Sequence, residues 1–512
     1  MAYNSSALLE LRDVTKIYDN GVVANKNISV DFRRGEIHAI VGENGAGKTT
    51  LMNILFGLVL PTTGSIFHEG QPITISSPIH AASIGIGMVH QHFMLVPSFT
   101  AFENITLGNE KTQLGFLSEK ESRRRAEELG RQYQFSVSLD TPVNQLGVGV
   151  KQKVEILKLL YKGATILILD EPTAVLTPQE TDQLFVQLQR FKEMGHTILF
   201  ISHKLNEVKQ ISDRISIIRQ GSCLGTYPAD SVSVEDVSEM MIGRRVDYDY
   251  RDIKQKPEHS RPCLEVKGLG YREEIEKLKN VSFTVNSSEI LGVVGVEGNG
   301  QVELVEVLFG YKKAQQGRVT VNGLSILDES IRYIRSQAKV AYIPEDRMRQ
   351  GVAARGTVAE NLISSYFDRP CLNKKLWMNR KNILETSRQL IDQFNINCKS
   401  HASLVSSLSG GNIQKVVIAR ESNTEPDLLI AEQPTRGVDV GSANAVHKLL
   451  IGLRNSGKAI LLFSADLGEA LAISDRLMVM FNGELVAVFD NPGELTESEL
   501  GLYMLGIKRD LP

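Results

Sequence analysis

Two long stretches of the chain align without a gap, "SVDFRRGEIHAIVGENGAGKTTLMNILFG" at residues 29–57 and "SFTVNSSEILGVVGVEGNGQVELVEVLFG" at 282–310. The match continues in order, after a short insertion in the second copy. "ENITLG" stands beside "ENLISS", "LGVGVKQKVEI" beside "LSGGNIQKVVI", "ILILDEPT" beside "LLIAEQPT" and "ISHKLNE" beside "FSADLGE". A duplication on this scale makes each half answer for the fold of the other. At 512 residues the chain is also far beyond the size at which one hydrophobic core stops growing, so two domains are expected. Between the copies lies "RRVDYDYRDIKQKPEHSRP", polar, charged and carrying two prolines, which reads as a connector. The expected division is a first domain at 1–245, a linker at 246–260 and a second domain at 261–512.

Within each copy, short β-branched runs such as "IHAIV", "TILIL" and "HTILFIS" alternate with helical periodicity, as in 178–194. Strands alternating with helices imply an α/β fold, a mostly parallel sheet with helices packed on it. "GENGAGKT" (42–49) matches the phosphate-loop pattern G-x-x-x-x-G-K-[ST] in full, after one such strand and before a helical run. Its glycines let backbone N–H groups converge on phosphate oxygens, and the helix adds the positive end of its dipole. Lys48 supplies a charge for the outer phosphates and the Thr49 hydroxyl a ligand for Mg²⁺. One such charge pair at about 4 Å is worth on the order of 4 kcal/mol at an effective dielectric near 20. The apolar run "ILIL" ends in Asp170 and Glu171, at the carboxyl edge where open α/β sheets bind ligands. One carboxylate there can hold Mg²⁺ through water, and the next can orient or deprotonate an attacking water.

Composition narrows the partners. With 57 basic against 60 acidic residues and a net charge of −3, no global positive field exists to hold nucleic acid. The four cysteines form no CxxC pair, which points away from a zinc site or disulfide framework. The opening "MAYNSSALLELRDV" lacks a basic start followed by an apolar run, and no stretch is long and apolar enough to span a membrane. A soluble chain seated on a membrane partner is expected. Three consecutive arginines in "SRRRAEELGRQYQ" (122–134) read as the solvated face of a helix.

The ordered set "GENGAGKT", "VHQHF", "LGVGV", "LILDEPT" and "ISHKL", with "LSGGN" at 408–412 in the second copy, resembles the nucleotide-binding domain of the ATP-binding-cassette family. The resemblance covers nearly the whole chain, twice. It implies two tandem ABC ATPase domains, each with a P-loop NTPase core sheet and helices, a small antiparallel β subdomain and a helical subdomain. It implies ATP and Mg²⁺ as ligands. On its terms Gly42, Glu43, Asn44, Gly45, Ala46, Gly47, Lys48, Thr49 and Thr50 wrap the phosphates. Tyr18 would stack on adenine, and Gln91 would be the lid glutamine that senses Mg²⁺ beside Thr49 and Asp170. Lys48, Glu171 and His203 would carry the chemistry.

The second copy departs from the pattern at one position after another. Gln301 and Val302 replace the lysine and hydroxyl, Glu345 stands about where Gln91 does, Glu432 and Gln433 replace Asp170 and Glu171, and Ala465 falls opposite His203. The first copy has Gly147 where the second offers Ser409, and Thr177 where the second has Asp439. Family members pair head to tail, each ATP lying between one phosphate loop and the other "LSGGN" segment. The resemblance therefore implies one intact composite site, in which Ser409, Gly410, Gly411, Asn412 and Asp439 close on the first copy's loop. The altered groups all collect at the other site. A carboxamide cannot accept a proton, and general-base assistance is typically worth ~10²–10⁴-fold, so the second copy is not expected to hydrolyse ATP through its own groups.

Single soluble chains with two cassettes include the energising subunits of bacterial importers. "PEDR", "LSGGN" and "AEQPTRGVDVG" look like those of monosaccharide and nucleoside importers. "VHQHFMLVPSFTAFENITLG" and "VEILKLLYKGATILILDEPTAVLTPQE" resemble the nucleoside branch more than the ribose or galactose branch. That resemblance implies two transmembrane permease subunits, an extracytoplasmic substrate-binding lipoprotein acting through them, and a peripheral position on the cytoplasmic face of the cell (inner) membrane. The alternatives are the same role in importing simple sugars, and a ribosome-associated tandem cassette ATPase. The last usually carries a long charged linker and two intact sites, which this chain lacks.

Overall fold

The computed structural model describes residues 7–19, 21–43, 45–90, 93–110, 112–113, 116–117, 119–173, 176–202, 204–243, 250, 253–255, 260–296, 298–374 and 377–511. Asn44, Gln91 and His203 lie outside the described residues. The chain divides into two compact units, Met1–Val246 and Asp247–Pro512.

In the first unit a six-stranded sheet runs in the order Ser222–Pro228, Arg214–Arg219, Ile37–Val41, Thr197–Ile201, Ile166–Asp170, Ile86–Val89. Only the pairing of the first two is antiparallel. Every residue of the three central strands is buried, as a parallel strand covered on both faces requires, which explains their mostly apolar spelling. Beside it lies an antiparallel sheet in the order Val23–Arg33, Ala7–Ile17, Thr63–His68, Gln71–Ile73. A helical portion is formed by Ala101–Thr106, Glu119–Gln132 and Val148–Tyr161, which pack on one another. Sheet, side sheet and helices are the architecture the sequence predicts.

The second unit repeats the plan. Its core sheet runs Glu484–Phe489, Arg476–Phe481, Ile290–Val294, Ala459–Phe463, Leu428–Glu432, Val340–Ile343, with only the first pair antiparallel. Its side sheet runs Glu276–Asn286, Pro262–Arg272, Gln316–Val321, Leu324–Ser325. Local signals recur too. Thr100 with Glu103, and Thr357 with Glu360, close reciprocal caps on the matching short helices, satisfying backbone donors that would otherwise have no partner.

Two cores flank the sheet of the first unit. In the first unit Tyr161, Phe191 and Phe200 anchor one face. On the other face Leu51, Met52 and Leu55 of the helix Lys48–Leu55 pack with Phe32, Ile40 and Ile168. That apolar seat holds the phosphate-loop helix over the sheet edge, and truncating one such leucine to alanine costs about 2–5 kcal/mol. The three consecutive arginines of the helix Glu119–Gln132, Arg123 to Arg125, all have local partners. Arg123 pairs with Asp140, Arg124 with Glu128, and Arg125 lies over the Tyr161 ring. Among the described residues, no helix is long and apolar enough to cross a membrane. Tyr250, inside the expected linker, is buried in the second unit against His447, and Lys254 donates to the Ser474 carbonyl there.

Candidate functional site

The strand Ile37–Val41 is fully buried, and the chain must turn sharply as it leaves the sheet. It does so through Gly42–Gly47, and the helix begins at Lys48. Gly47 caps that helix in the left-handed region, φ 102°, and a side chain there would collide with the Ala24 carbonyl. Only glycine combines that conformation with that proximity. Asn25 Nδ2 donates to the Gly47 carbonyl at 3.0 Å, bracing the loop from the side sheet. The first turn of the helix carries no acidic residue, so its partial positive charge is unopposed by its own side chains.

Lys48 is buried, and its Nζ donates to the carbonyls of Gly42 at 2.6 Å and Glu43 at 3.0 Å. Burial pulls its ammonium below the usual lysine range, while Glu171, Asp170 and Glu43 pull it back up. The three carboxylates therefore lie near enough for their charge to act on the lysine. Asp170 ends the strand Ile166–Asp170, next to Ile201 of the neighbouring strand. Its carboxyl is pushed up to about 6, first by burial and then by the charge of Glu171, against the opposing pull of Lys48 and a hydrogen bond from Thr49. Glu171 takes a left-handed backbone, φ 49°, and its N–H donates to the Ile201 carbonyl at 2.9 Å. A non-glycine residue in that region is costly, and such residues cluster where a side chain must be aimed. Tyr18 follows the strand Ala7–Ile17, exposed, with its hydroxyl 3.3 Å from Thr50 Oγ1. An aromatic face beside the first helical turn is suitably placed for a flat base.

The structure brings Tyr18, Gly42, Glu43, Gly45, Ala46, Gly47, Lys48, Thr49, Thr50, Asp170 and Glu171 together at one sheet edge. No group of three or more His, Cys, Asp or Glu capable of holding a metal is found among the described residues. The oxygen donors that do converge, Thr49 and Asp170, fit Mg²⁺. That ion is held by few protein groups, and substrate phosphates and water supply the rest.

The matching loop of the second unit keeps the backbone and carries different side chains. Gly300 caps the helix Gln301–Leu308 at φ 105°, but its first turn contains Glu303, ion-paired to Lys277 at 3.4 Å. Gln301 Nε2 donates to the Val296 carbonyl at 3.3 Å. Glu432, at the end of its strand, accepts the Tyr342 hydroxyl, and its pKa is raised first by burial and also by the charge of Glu306, with the Tyr342 bond opposing. Gln433 holds the left-handed conformation of Glu171, φ 45°, with its N–H on the Phe463 carbonyl. The residue after the strand Pro262–Arg272, where the first unit has Tyr18, is Glu273, ion-paired to Lys312. Val302 is exposed in the place of Thr49.

The other predicted residues lie in the second unit. Ser409 precedes the helix Gly410–Ser422 without capping it, and Asn412 Nδ2 donates to its hydroxyl oxygen at 2.8 Å. The hydroxyl proton can therefore point away from the helix. Asp439 caps the helix Val440–Asn455 by accepting the Ser442 N–H and hydroxyl, each at 2.7 Å, and Ser442 in turn crowds Gly411. Thr177 of the first unit also caps a helix, in a reciprocal pair with Glu180. Two supporting residues escaped the sequence reading. Asn25 carries no local signal, being a strand residue far from the loop in sequence. Gln152, whose Nε2 donates to the Pro172 carbonyl just past Glu171 at 2.7 Å, does have one, because the repeat places Gln414 opposite it.

The sequence model of the ABC transporter family matches residues 25–174 and 278–436. The nucleoside import ATP-binding protein NupA of Lactococcus lactis subsp. cremoris (strain MG1363) is 41% identical over 504 residues, covering 98% of this chain and 99% of the relative. The guanosine import ATP-binding protein NupO of Bacillus subtilis (strain 168) is 40% identical over 502 residues, with 98% and 97% covered. The ribose import ATP-binding protein RbsA 1 of Rubrobacter xylanophilus (strain DSM 9941 / JCM 11954 / NBRC 16129 / PRD-1) is 36% identical over 499 residues, 98% of each. Among solved structures, RNase-L Inhibitor aligns with a TM-score of 0.61 over 94% of this chain and 90% of its own, at 20% identity, a likeness of fold alone. With the family matched in both halves and relatives well above 30% identity along nearly its whole length, the chain belongs to the ABC transporter family and is an ATPase built from two tandem cassettes.

Proposed function

We propose that this chain is the ATP-hydrolysing subunit of an importer for nucleosides, with one competent composite ATP site and one degenerate site. The observation that carries the reading is the contrast between the loops: the charges of Asp170 and Glu171 act on a buried Lys48, whereas the second helix opens with Gln301 and carries Glu303 in its first turn, and Glu432 is capped by a tyrosine. The names of the two relatives at 41% and 40% identity favour nucleosides as cargo. Import of simple sugars of the ribose or galactose type is the second reading, favoured by the 36% identity to a ribose import protein.

In the proposed site Lys48 exchanges its two loop carbonyls for outer phosphate oxygens. Gly42, Glu43, Asn44, Gly45, Ala46, Gly47 and Thr50 wrap the phosphates, and Tyr18 stacks on adenine. Glu171 orients and deprotonates the attacking water, and His203 contacts the terminal phosphate. Thr49, Gln91 and, through water, Asp170 would hold Mg²⁺, which would neutralise phosphate charge. Ser409, Gly410, Gly411, Asn412 and Asp439 close the site from the second cassette. The cassettes span 1–245 and 261–512, joined by 246–260. Two permease subunits anchor the chain to the cytoplasmic face of the membrane, and an extracytoplasmic binding protein delivers cargo. A ligand that favours the closed state draws the halves together, and its hydrolysis lets them part.

The test is ATP turnover of the full chain with its permease. Glu171→Gln should abolish it while ATP binding persists, and Gln433→Ala should leave it within about twofold, because general-base loss costs ~10²–10⁴-fold and the second site has no base to lose. Equal losses would overturn the one-site assignment. Calorimetry of the cognate binding protein with inosine, guanosine, ribose and galactose decides the cargo, and a response to sugars alone would reject nucleosides.

A further inference from the structure

The second unit's strand Val340–Ile343 runs into "PEDR" (344–347), where the first copy has "HQHF". Asp346 Oδ1 accepts from the N–H groups of Met348 and Arg349 at 3.1 and 3.0 Å, shaping a single wide turn over Arg347–Gly351. Arg420, inside the helix Gly410–Ser422, donates to the Gly351 carbonyl at 2.7 Å and fastens that turn to the helix. From the turn the Arg347 guanidinium forks. Nη1 donates to the Arg436 carbonyl at 2.6 Å and Nη2 to the Gly437 carbonyl at 3.0 Å. Glu345, one step earlier, is ion-paired with the Arg436 side chain. The same guanidinium lies against Gly410, where an added Cβ would come 2.7 Å from Nη2. The first copy has Phe93 and Val148 in the places of Arg347 and Gly410, so it cannot build this contact.

We propose that Arg347 is a positioning residue for ATP hydrolysis. Its planar fork locks the loop bearing Ser409 and Gly410 to the loop bearing Asp439, so that both approach the triphosphate at one fixed spacing. The proposal rests on the composite-site reading above. A guanidinium that makes two charge-assisted bonds fixes relative position as a single bond cannot, and lysine, a point charge, cannot replace it. The segment matching the lid of the first copy thus serves, in the hydrolysis-deficient half, as a brace for the loops offered to the other half.

The test uses the full chain with its permease in liposomes, and compares Arg347→Ala, Arg347→Lys and Ser409→Ala. Displacing reacting groups by about 1 Å costs up to ~10²-fold. Arg347→Ala should therefore lower kcat about 10–100-fold while the Kd for a fluorescent ATP analogue changes less than about threefold, a split that general destabilisation would not produce. Arg347→Lys should fall between. Wild-type turnover in both Arg347 variants, with Ser409→Ala impaired, overturns the proposal and leaves the composite site standing. A Kd loss matching the kcat loss also overturns it. Full turnover in Ser409→Ala removes the composite site and this inference together. Should Arg347→Ala melt early, Arg347→Lys decides by the same criteria.

Discussion

The two phosphate loops share a backbone and differ in charge. Gly47 and Gly300 adopt nearly the same left-handed cap, φ 102° and 105°, and each hands the chain to an eight-residue helix. Around the first loop the cation is buried and the helical turn is free of acids. Around the second stand Glu273, Glu303, Glu306 and Glu432, two of them tied to Lys312, one to Lys277 and one to Tyr342. Where the first loop has a buried lysine of its own, the second has carboxylates, three of them already paired with lysines from outside the loop. The same loop conformation thus tolerates two very different sets of side-chain charges.

Several substitutions would break or sharpen that contrast. The largest effect belongs to Lys48→Ala, which removes the buried cation and should cut ATP turnover by at least ~10²-fold, since one such charge pair is worth on the order of 4 kcal/mol. Gln301→Ala should stay near wild type in the same phosphate-release assay, and comparable losses would mean the loops are not different in kind. Next comes Asp170. Its folded pKa, about 6, lies above its ordinary value of 3.8, so the folded state binds the proton more tightly. Its contribution is destabilising above pH 6 and fades as pH falls towards 4. Asp170→Asn should thus raise the Tm of the nucleotide-free chain in EDTA at pH 7, by up to about 3 kcal/mol in stability, and give no gain near pH 4. A gain that did not vary with pH would refute the burial argument. Tyr18→Ala should weaken ATP binding by about 1–2 kcal/mol, roughly tenfold in Kd, with Tyr18→Phe close to wild type. The smallest effect is expected from Tyr342→Phe. It leaves the buried Glu432 carboxyl without its hydroxyl donor and should cost about 1 kcal/mol of stability in denaturant melts without altering turnover.

Much of this was legible in the sequence because both periodicity and repetition reported on it. Short runs such as "IHAIV", alternating with helical periodicity, read as strands of a mostly parallel sheet, and the alignment of the copies extended that reading to the second sheet. The strand, loop and helix of 37–55 follow from glycine placement and the N-terminal position of Lys48. Other features are written in three dimensions. Asn25 reaches the loop from a strand of the side sheet, and Tyr342 reaches Glu432 across two adjacent strands, so no local pattern marks either contact. Glu273 in the place of Tyr18 was hidden because the hairpins after the two strands differ in sequence, and only strand pairing fixes their register. Arg347 was visible within "PEDR", but its reach to Gly437 depends on a turn that spacing does not encode.

The left-handed peptide at Glu171 recurs at Gln433, φ 49° and 45°, in each case with the N–H bonded to the adjacent strand. The sheet, and not the carboxylate, dictates that bend. The molecule thus carries its own isosteric control, since a carboxamide already sits on this contorted backbone in the other half without unbending it. Exchanging the acid at 171 for its amide should consequently arrest the cycle with the chain's shape intact, giving a faithful snapshot of the loaded state in place of a damaged protein.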